Sequence, residues 1–266
     1  MATAVDYSRY RHLEVEQRGR IKVVTINRPE LNAIDGEVHE ELEQIWVDLN
    51  GDEEAEAVIL TGAGRVFSAG GDARGMQAGD FNPFEAHVFR KARRLILNLL
   101  ELEVPVIAAL NGDTIGGAAT YALYCDIVIA ARSARIGDPH VRVGVVAGDG
   151  SCAIWPLLCG PARAKQYLMT GDLLSADEAE RIGLVNRVVD DGAAYAEAER
   201  FAERLLALPP LAVRWTKHSI NRMLREQTHQ ILDTSLALEG LTILSRDHAE
   251  AVSAFIEKRD GSYQGR

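Results

Sequence analysis

Apolar positions recur along the chain with two different periods. "HLEVEQ" (His12–Gln17) alternates apolar and polar residues, "RGR" offers a turn, and "IKVVTIN" (Ile21–Asn27) is β-branched up to Pro29. That is the pattern of a β-hairpin. Val38, Leu42, Ile45, Trp46 and Leu49 then recur at helical spacing, with Asp35 placed to cap the helix. "AVIL" (Ala57–Leu60), "VPVIAAL" (Val104–Leu110) and "DIVIAA" (Asp126–Ala131) are short unbroken apolar runs that predict buried strands. Between them lie two glycine-rich loops and the amphipathic helix "FRKARRLILNLLELE" (Phe89–Glu103). Further on, "SADEAERIGL" begins with a capping box, Ser175 with Glu178, and stops near Gly183. "LVNRVV" predicts a late strand and Tyr195–Ala207 a helix, broken by Pro209 and Pro210. From Ala212 to about Lys258 the pattern is helical throughout.

Strands alternating with helices predict an α/β body. The proline pair divides it, residues 1–208, from a helical segment, residues 209–266, too small to hold much core alone. That segment is expected to pack on the body or on a neighbouring subunit. At 266 residues and 47% hydrophobic, the chain can bury a large core as one domain. A formal charge of −10 argues against a nucleic-acid partner, which would need a basic face. No apolar run approaches a membrane span, and the first residues have no secretory apolar region. Cys125, Cys152 and Cys159 are too few for a disulfide framework and fit a reducing compartment. The expectation is a cytoplasmic protein with neither nucleic acid nor membrane as partner.

The loop "TGAGRVF" (Thr61–Phe67) follows a strand but lacks the third glycine of a dinucleotide fingerprint, and Phe67 stands where the phosphate-binding helix should begin. No Gly-Lys-Ser/Thr phosphate loop is present, and no His, Cys and Asp grouping has zinc spacing. No metal is expected. Glycine has a different use here. Without a Cβ, its backbone N–H can approach a ligand closely, and two such N–H groups aimed at one point make an oxyanion hole. "FSAGGDARGM" (Phe67–Met76) and "NGDTIGGAAT" (Asn111–Thr120) each carry a glycine pair at a strand-to-helix junction, where the helix dipole also favours negative charge.

With these loops in view the chain resembles the crotonase, or enoyl-CoA hydratase/isomerase, superfamily. "NRPELNAI", "LTGAGRVFSAGGD", "NGDTIGGAA", "CDIVIAA", "LMTGDLLSADEAERIGLVNRVV" and "AFIEKR" occur in family order, over about residues 12 to 266. The resemblance implies an α/β fold, a crotonase-like spiral of ββα units followed by a C-terminal helical trimerisation region, so a homotrimer or hexamer. It implies a CoA thioester as substrate and no separate cofactor. The two enolate-stabilising N–H groups map onto Gly71 and Gly117. Contacts to CoA map onto Asn32 and Ala33 and onto Ala69, Gly71, Asp72, Ala73 and Arg74, with Arg28 and Arg74 as phosphate partners. Phe255 and Lys258 are implied to come across from a neighbouring subunit.

Hydratases of this family carry two glutamates, and their places hold Thr120 and His140. A threonine hydroxyl has no accessible pKa near neutrality and cannot act as a general base. Histidine titrates near ~6.5 and can take or give a proton at physiological pH. His140 is therefore expected to be the principal proton-transfer group, with Asp149, nine positions on, as its partner. Ser151, Cys152 and the other six histidines are expected to be structural. Hydration, isomerisation and hydrolysis using His140 and Asp149 all stay open, as does a non-catalytic acyl-CoA-binding protein. A nucleotide-binding oxidoreductase is the reading least supported.

Overall fold

The computed structural model describes residues 5–72 and 88–266. Its body is a six-stranded sheet in the order β1-β2-β3-β4-β6-β9. The strands are β1 (Leu13–Arg18), β2 (Ile21–Ile26), β3 (Ala57–Gly62), β4 (Val106–Leu110), β6 (Ile127–Ala131) and β9 (Arg187–Val189). β1 and β2 form the expected antiparallel hairpin, Leu13 opposite Ile26, and every later pairing is parallel. A second sheet of three very short strands, β5 (Thr114–Ile115), β7 (Arg135–Gly137) and β8 (Leu174–Ser175), stands beside it. The apolar pattern does not reveal this sheet, because two or three residues are too few for a period to register.

The unbroken apolar runs have a simple cause, since the large sheet is buried on both faces. Val58, Leu60, Val106, Ala108, Leu110, Val128 and Ala130 point into the main core. Their alternates Ala57, Ile59, Ile107, Ala109 and Ile129 meet Ala194, Ala198 and Ala202 of helix α7 (Ala194–Leu206) on the other face. The main core is closed by α1 (Gly36–Asn50) and α2 (Val88–Glu101), with Trp46 and Leu95 fully buried. The predicted caps form: Asp35 accepts the Val38 N–H at 2.9 Å, and the Ser175 hydroxyl accepts that of Glu178 at 3.2 Å.

The remaining helices are α3 (Gly117–Leu123), α4 (Ser151–Cys159), α5 (Pro161–Thr170), α6 (Ala176–Ile182), α8 (Pro210–Ile243) and α9 (Arg246–Glu257). The helical tail, α8 and α9, is docked on the body of its own chain. Asn221 donates to the Leu100 carbonyl at 3.0 Å, and Lys217 pairs with Asp126 at 2.7 Å. Among the described residues no helix is long and apolar enough to cross a membrane.

Candidate functional site

The described residues of the two glycine-rich loops press on one another. Ser68 bridges to Thr114, and the Ile115 N–H donates to the Ser68 carbonyl at 3.1 Å. Gly70 has φ +86°, and a methyl there would stand 2.9 Å from the Ile115 carbonyl oxygen, so only glycine fits. Ile34 lies alongside, its N–H donating to Gly70 and its carbonyl accepting from Asp72. That bridge uses the neighbours of Gly71 and leaves the Gly71 N–H outside it. Gly117 opens α3, where a first-turn N–H has no intrahelical acceptor. Among the described residues, neither N–H is accepted by a backbone carbonyl.

Beside Gly117 stands Asp149. A methyl on Gly117 would come within 2.7 Å of Asp149 Oδ2 and 3.2 Å of the Tyr121 hydroxyl. The turn carrying Asp149 is gripped from two sides. Ser235 of α8 donates to the Gly148 carbonyl at 2.7 Å, and a methyl on Gly148 would meet Glu239 Oε2 at 2.7 Å. On the other side a methyl on Gly150 would meet Thr120 at 3.0 Å and Tyr124 at 3.1 Å. Thr120 is fully buried; its hydroxyl shares a 2.6 Å hydrogen bond with Ser151 and reaches Asp149 Oδ1 at 3.4 Å.

His140 opens a 3₁₀ turn, His140–Val143. Its direct partner is Asp138, not Asp149: Asp138 Oδ1 bonds His140 Nδ1 and accepts the His140 backbone N–H at 3.1 Å. The expected His140–Asp149 pairing is corrected on this point. Pro139 folds the chain so that the carboxylate two residues back reaches the ring first. Asp149 remains close, since one donor atom from each of Asp138, His140 and Asp149 lies within 4.8 Å of the others. Those three atoms could share a cation, although His140 Nδ1 is already engaged by Asp138. The 3₁₀ turn is held from outside by α9, where His248 Nδ1 bonds the Val143 carbonyl at 2.6 Å.

Four groups titrate together here. Burial pushes Asp149 up to about 6, aided by the Asp138 charge and opposed by the His140 cation. Burial disfavours the His140 cation, yet the charges of Asp138 and Asp149 hold its pKa well above the usual value. Burial also works against the Asp138 carboxylate, but His140 and a Ser151 hydrogen bond keep its pKa low. Glu239 is raised to about 8 by burial and then by the Asp149 charge, and its Oε2 has no hydrogen-bond partner among the described residues. Two of these four, Asp138 and Glu239, and the neighbouring Ser151 lie outside the residues the sequence points to. Asp138 is visible in "DPH" but carries no pattern, Ser151 is expected to be structural, and Glu239 gives no signal, lying ninety residues beyond Asp149.

Of the residues expected to contact CoA, several are occupied within the protein. The Asn32 side chain, at φ +53° and buried, donates to the carbonyls of Ala63, Val66 and Phe67 and so clamps the first glycine loop. Arg28 pairs with Asp35 at 2.8 Å and Asp72 at 3.0 Å and donates to the Ala33 carbonyl. The Ala69 N–H donates to Leu31 at 3.0 Å. Ala73 and Arg74 lie outside the described residues. Phe255 is 61% exposed on α9, and Lys258 caps that helix in the left-handed region, both facing solvent.

Known proteins carry the same body. The family model for enoyl-CoA hydratase/isomerase matches residues 16–266. A short-chain-enoyl-CoA hydratase of Clostridium acetobutylicum is 39% identical, over 92% of this chain and 94% of that protein. A 1,2-epoxyphenylacetyl-CoA isomerase of Escherichia coli is 34% identical, over 92% and 95%. The crystal structure of an enoyl-CoA hydratase/isomerase from Mycobacterium paratuberculosis superposes with a TM-score of 0.85 at 36% identity, covering 91% of this chain and 97% of that one. The fold is the crotonase fold with its C-terminal helical region, and the chain belongs to the enoyl-CoA hydratase/isomerase family of acyl-CoA enzymes.

Proposed function

We propose that the protein moves a proton between carbons of an acyl-CoA thioester, an isomerisation, with Asp149 as the carrier. The thioester oxygen would accept from the Gly71 and Gly117 N–H groups. Asp149 would take a proton from the α carbon, the electron pair passing to that oxygen as an enolate. Return of the proton to another carbon regenerates the carboxylate. The step needs no water and no second base, which suits a site where Thr120 and His140 stand in the places of both hydratase glutamates. The observation that carries this reading is the approach of Asp149 Oδ2 to Gly117. A carboxyl raised to about 6 is ionised at neutral pH yet basic enough to shuttle a proton.

His140 is then a positioning residue. Tied to Asp138 and held as a cation, it steadies the Asp149 charge instead of carrying the proton itself. A 1,2-epoxyphenylacetyl-CoA isomerase among the relatives is compatible with this choice, and a short-chain-enoyl-CoA hydratase keeps hydration as the competing outcome. Assay of 3-enoyl-CoA isomerisation and crotonyl-CoA hydration with one preparation separates the two. Isomerisation is expected to dominate, and efficient hydration with little isomerisation would overturn the reading.

Self-association belongs to the same proposal. Leu211, Trp215, Met223 and Leu241 on α8 and Phe255 on α9 are each more than half exposed, a poor surface for a lone subunit. A trimer or pair of trimers would cover it, with residues 209–266 as the assembling segment and Phe255 and Lys258 offered to a neighbour. Light scattering should give a mass near a multiple of three chains, and a stable monomer at micromolar concentration would refute this.

A further inference from the structure

Thr120 and Ser151 lie between the two aspartates of the site. Both side chains are completely buried, Thr120 on α3 and Ser151 as the first residue of α4. Their hydroxyl oxygens stand 2.6 Å apart, and either one can be the donor. At one end Thr120 Oγ1 faces Asp149 Oδ1 at 3.4 Å. At the other, Ser151 is the hydroxyl partner of Asp138, whose buried Oδ2 has no tighter one among the described residues. The four groups form one line, Asp149, Thr120, Ser151 and Asp138, and Asp138 ends it by holding the His140 ring.

Two hydroxyl hydrogens cannot serve both ends of this line. Each hydroxyl carries one hydrogen, and a carboxylate only accepts. Two oxygens 2.6 Å apart need one of those hydrogens between them. One hydrogen is left over. If Ser151 donates to Thr120, the Thr120 hydrogen goes to Asp149 and Asp138 receives none. If Thr120 donates to Ser151, the Ser151 hydrogen goes to Asp138 and Asp149 receives none. Rotation about two C–O bonds interconverts the arrangements, and no proton leaves its oxygen.

We propose that this hydroxyl pair is a reversible hydrogen-bond chain whose direction follows the charge on Asp149. While Asp149 is ionised the chain points to it. Once that carboxyl has taken a proton, Asp138 is the anion left at the ends of the line, and the chain turns there. Thr120 and Ser151 are then positioning residues that act through Asp149; the role of the chain in turnover rests on the Asp149 reading above. The other charges around Asp149 stay fixed while it titrates at about 6. His140 remains a cation and Asp138 an anion, and Glu239 of α8 stays neutral up to about 8. Burial keeps Tyr121 and Tyr124 of α3 and Cys152 of α4 neutral.

Carboxyl ¹³C NMR of the whole protein, with Asp149 assigned through Asp149→Asn, reads the chain without any substrate. Thr120→Val leaves Asp149 without its hydroxyl donor, so its midpoint should rise by about one unit, the worth of a bond to a charged group. Ser151→Ala frees the Thr120 hydrogen from any rival, so the midpoint should fall. The double variant should titrate like Thr120→Val, and Thr120→Ser like the wild type. Loss of packing alone would move both single variants the same way, so shifts of one sign, or none, would overturn the chain. Should Thr120→Val not fold, Ser151→Ala decides: a fall supports the chain, and a rise or no change rejects it. The acid limb of kcat/KM should follow the NMR midpoints. Opposite NMR shifts with a limb that stays in place would support the chain and overturn Asp149 as the proton carrier.

Discussion

Asp149 reaches Gly117 only because Gly117 has no side chain: a methyl there would stand 2.7 Å from Oδ2. The atoms that would collide belong to side chains, Asp149 and Tyr121, and not to backbone. Gly117→Ala should therefore fold and still displace the carboxylate from the point where the α carbon would sit. The expected loss is about 10²-fold or more in kcat, the worth of a misplaced general base. CoA-thioester affinity should change little. A Gly117→Ala enzyme with wild-type turnover would show that the approach is incidental.

The pH profile of kcat/KM should have two limbs. Asp149 is raised to about 6, so its base form, and with it activity, grows as pH rises through that value. Glu239 is neutral below about 8, and its ionisation puts another negative charge beside a site that must bear an enolate. Activity should fall above that pH. Glu239→Gln should abolish the alkaline limb and leave the acid limb in place. Two unchanged limbs would remove Glu239 from the account.

Glu239 also makes a stability prediction with a definite sign. Its folded pKa is raised above the unfolded value of about 4.3, so its contribution to stability falls as pH rises from there to about 8. Glu239→Gln removes that loss. The variant should melt higher than wild type at pH 8.5, by roughly 2–4 °C for each kcal/mol regained, and gain far less at pH 5. A gain that does not depend on pH would contradict the titration.

Asp138→Asn should act through His140. It removes the carboxylate whose charge holds the imidazole pKa up, so the His140 resonance should titrate at lower pH. Leaving one partner of a buried pair alone typically costs about 3–5 kcal/mol, which urea unfolding would register. If the His140 pKa stayed in place, Asp149 and not Asp138 would be its controlling partner.

Gly148→Ala tests the grip of α8 on the turn. The new methyl would meet Glu239 Cβ at 2.6 Å, and the Ser235 backbone blocks an easy retreat. Overpacking of this kind costs about 1–3 kcal/mol. An undiminished melting temperature would mean that α8 docks more loosely than described.

Much of the fold was legible because the physics was local or two-faced. The strands announced themselves as unbroken apolar runs, since Val58 and Ile59 are buried on opposite faces of one sheet. Asp35 and Ser175 cap helices through bonds three residues long. The site was only half legible. Gly117 and Asp149 stand out by residue type and lie side by side in the structure, but the partner of His140 is decided by the turn at Pro139. The side chains of Arg28 and Asn32 are bound to groups of the protein itself, which no spacing reveals. Glu239 enters only through the docking of α8, a tertiary event without a periodic trace.

The central claim is that Asp149, not His140, carries the proton. It is tested by incubating a saturated acyl-CoA with enzyme in D₂O and following deuterium at the α carbon by mass spectrometry. Wild type should exchange. Asp149→Asn should slow exchange by about 10²–10⁴-fold with thioester binding intact, the range for a positioned acid/base. His140→Gln should keep measurable exchange with its pH dependence shifted. Exchange that survives in Asp149→Asn and vanishes in His140→Gln would reverse the assignment.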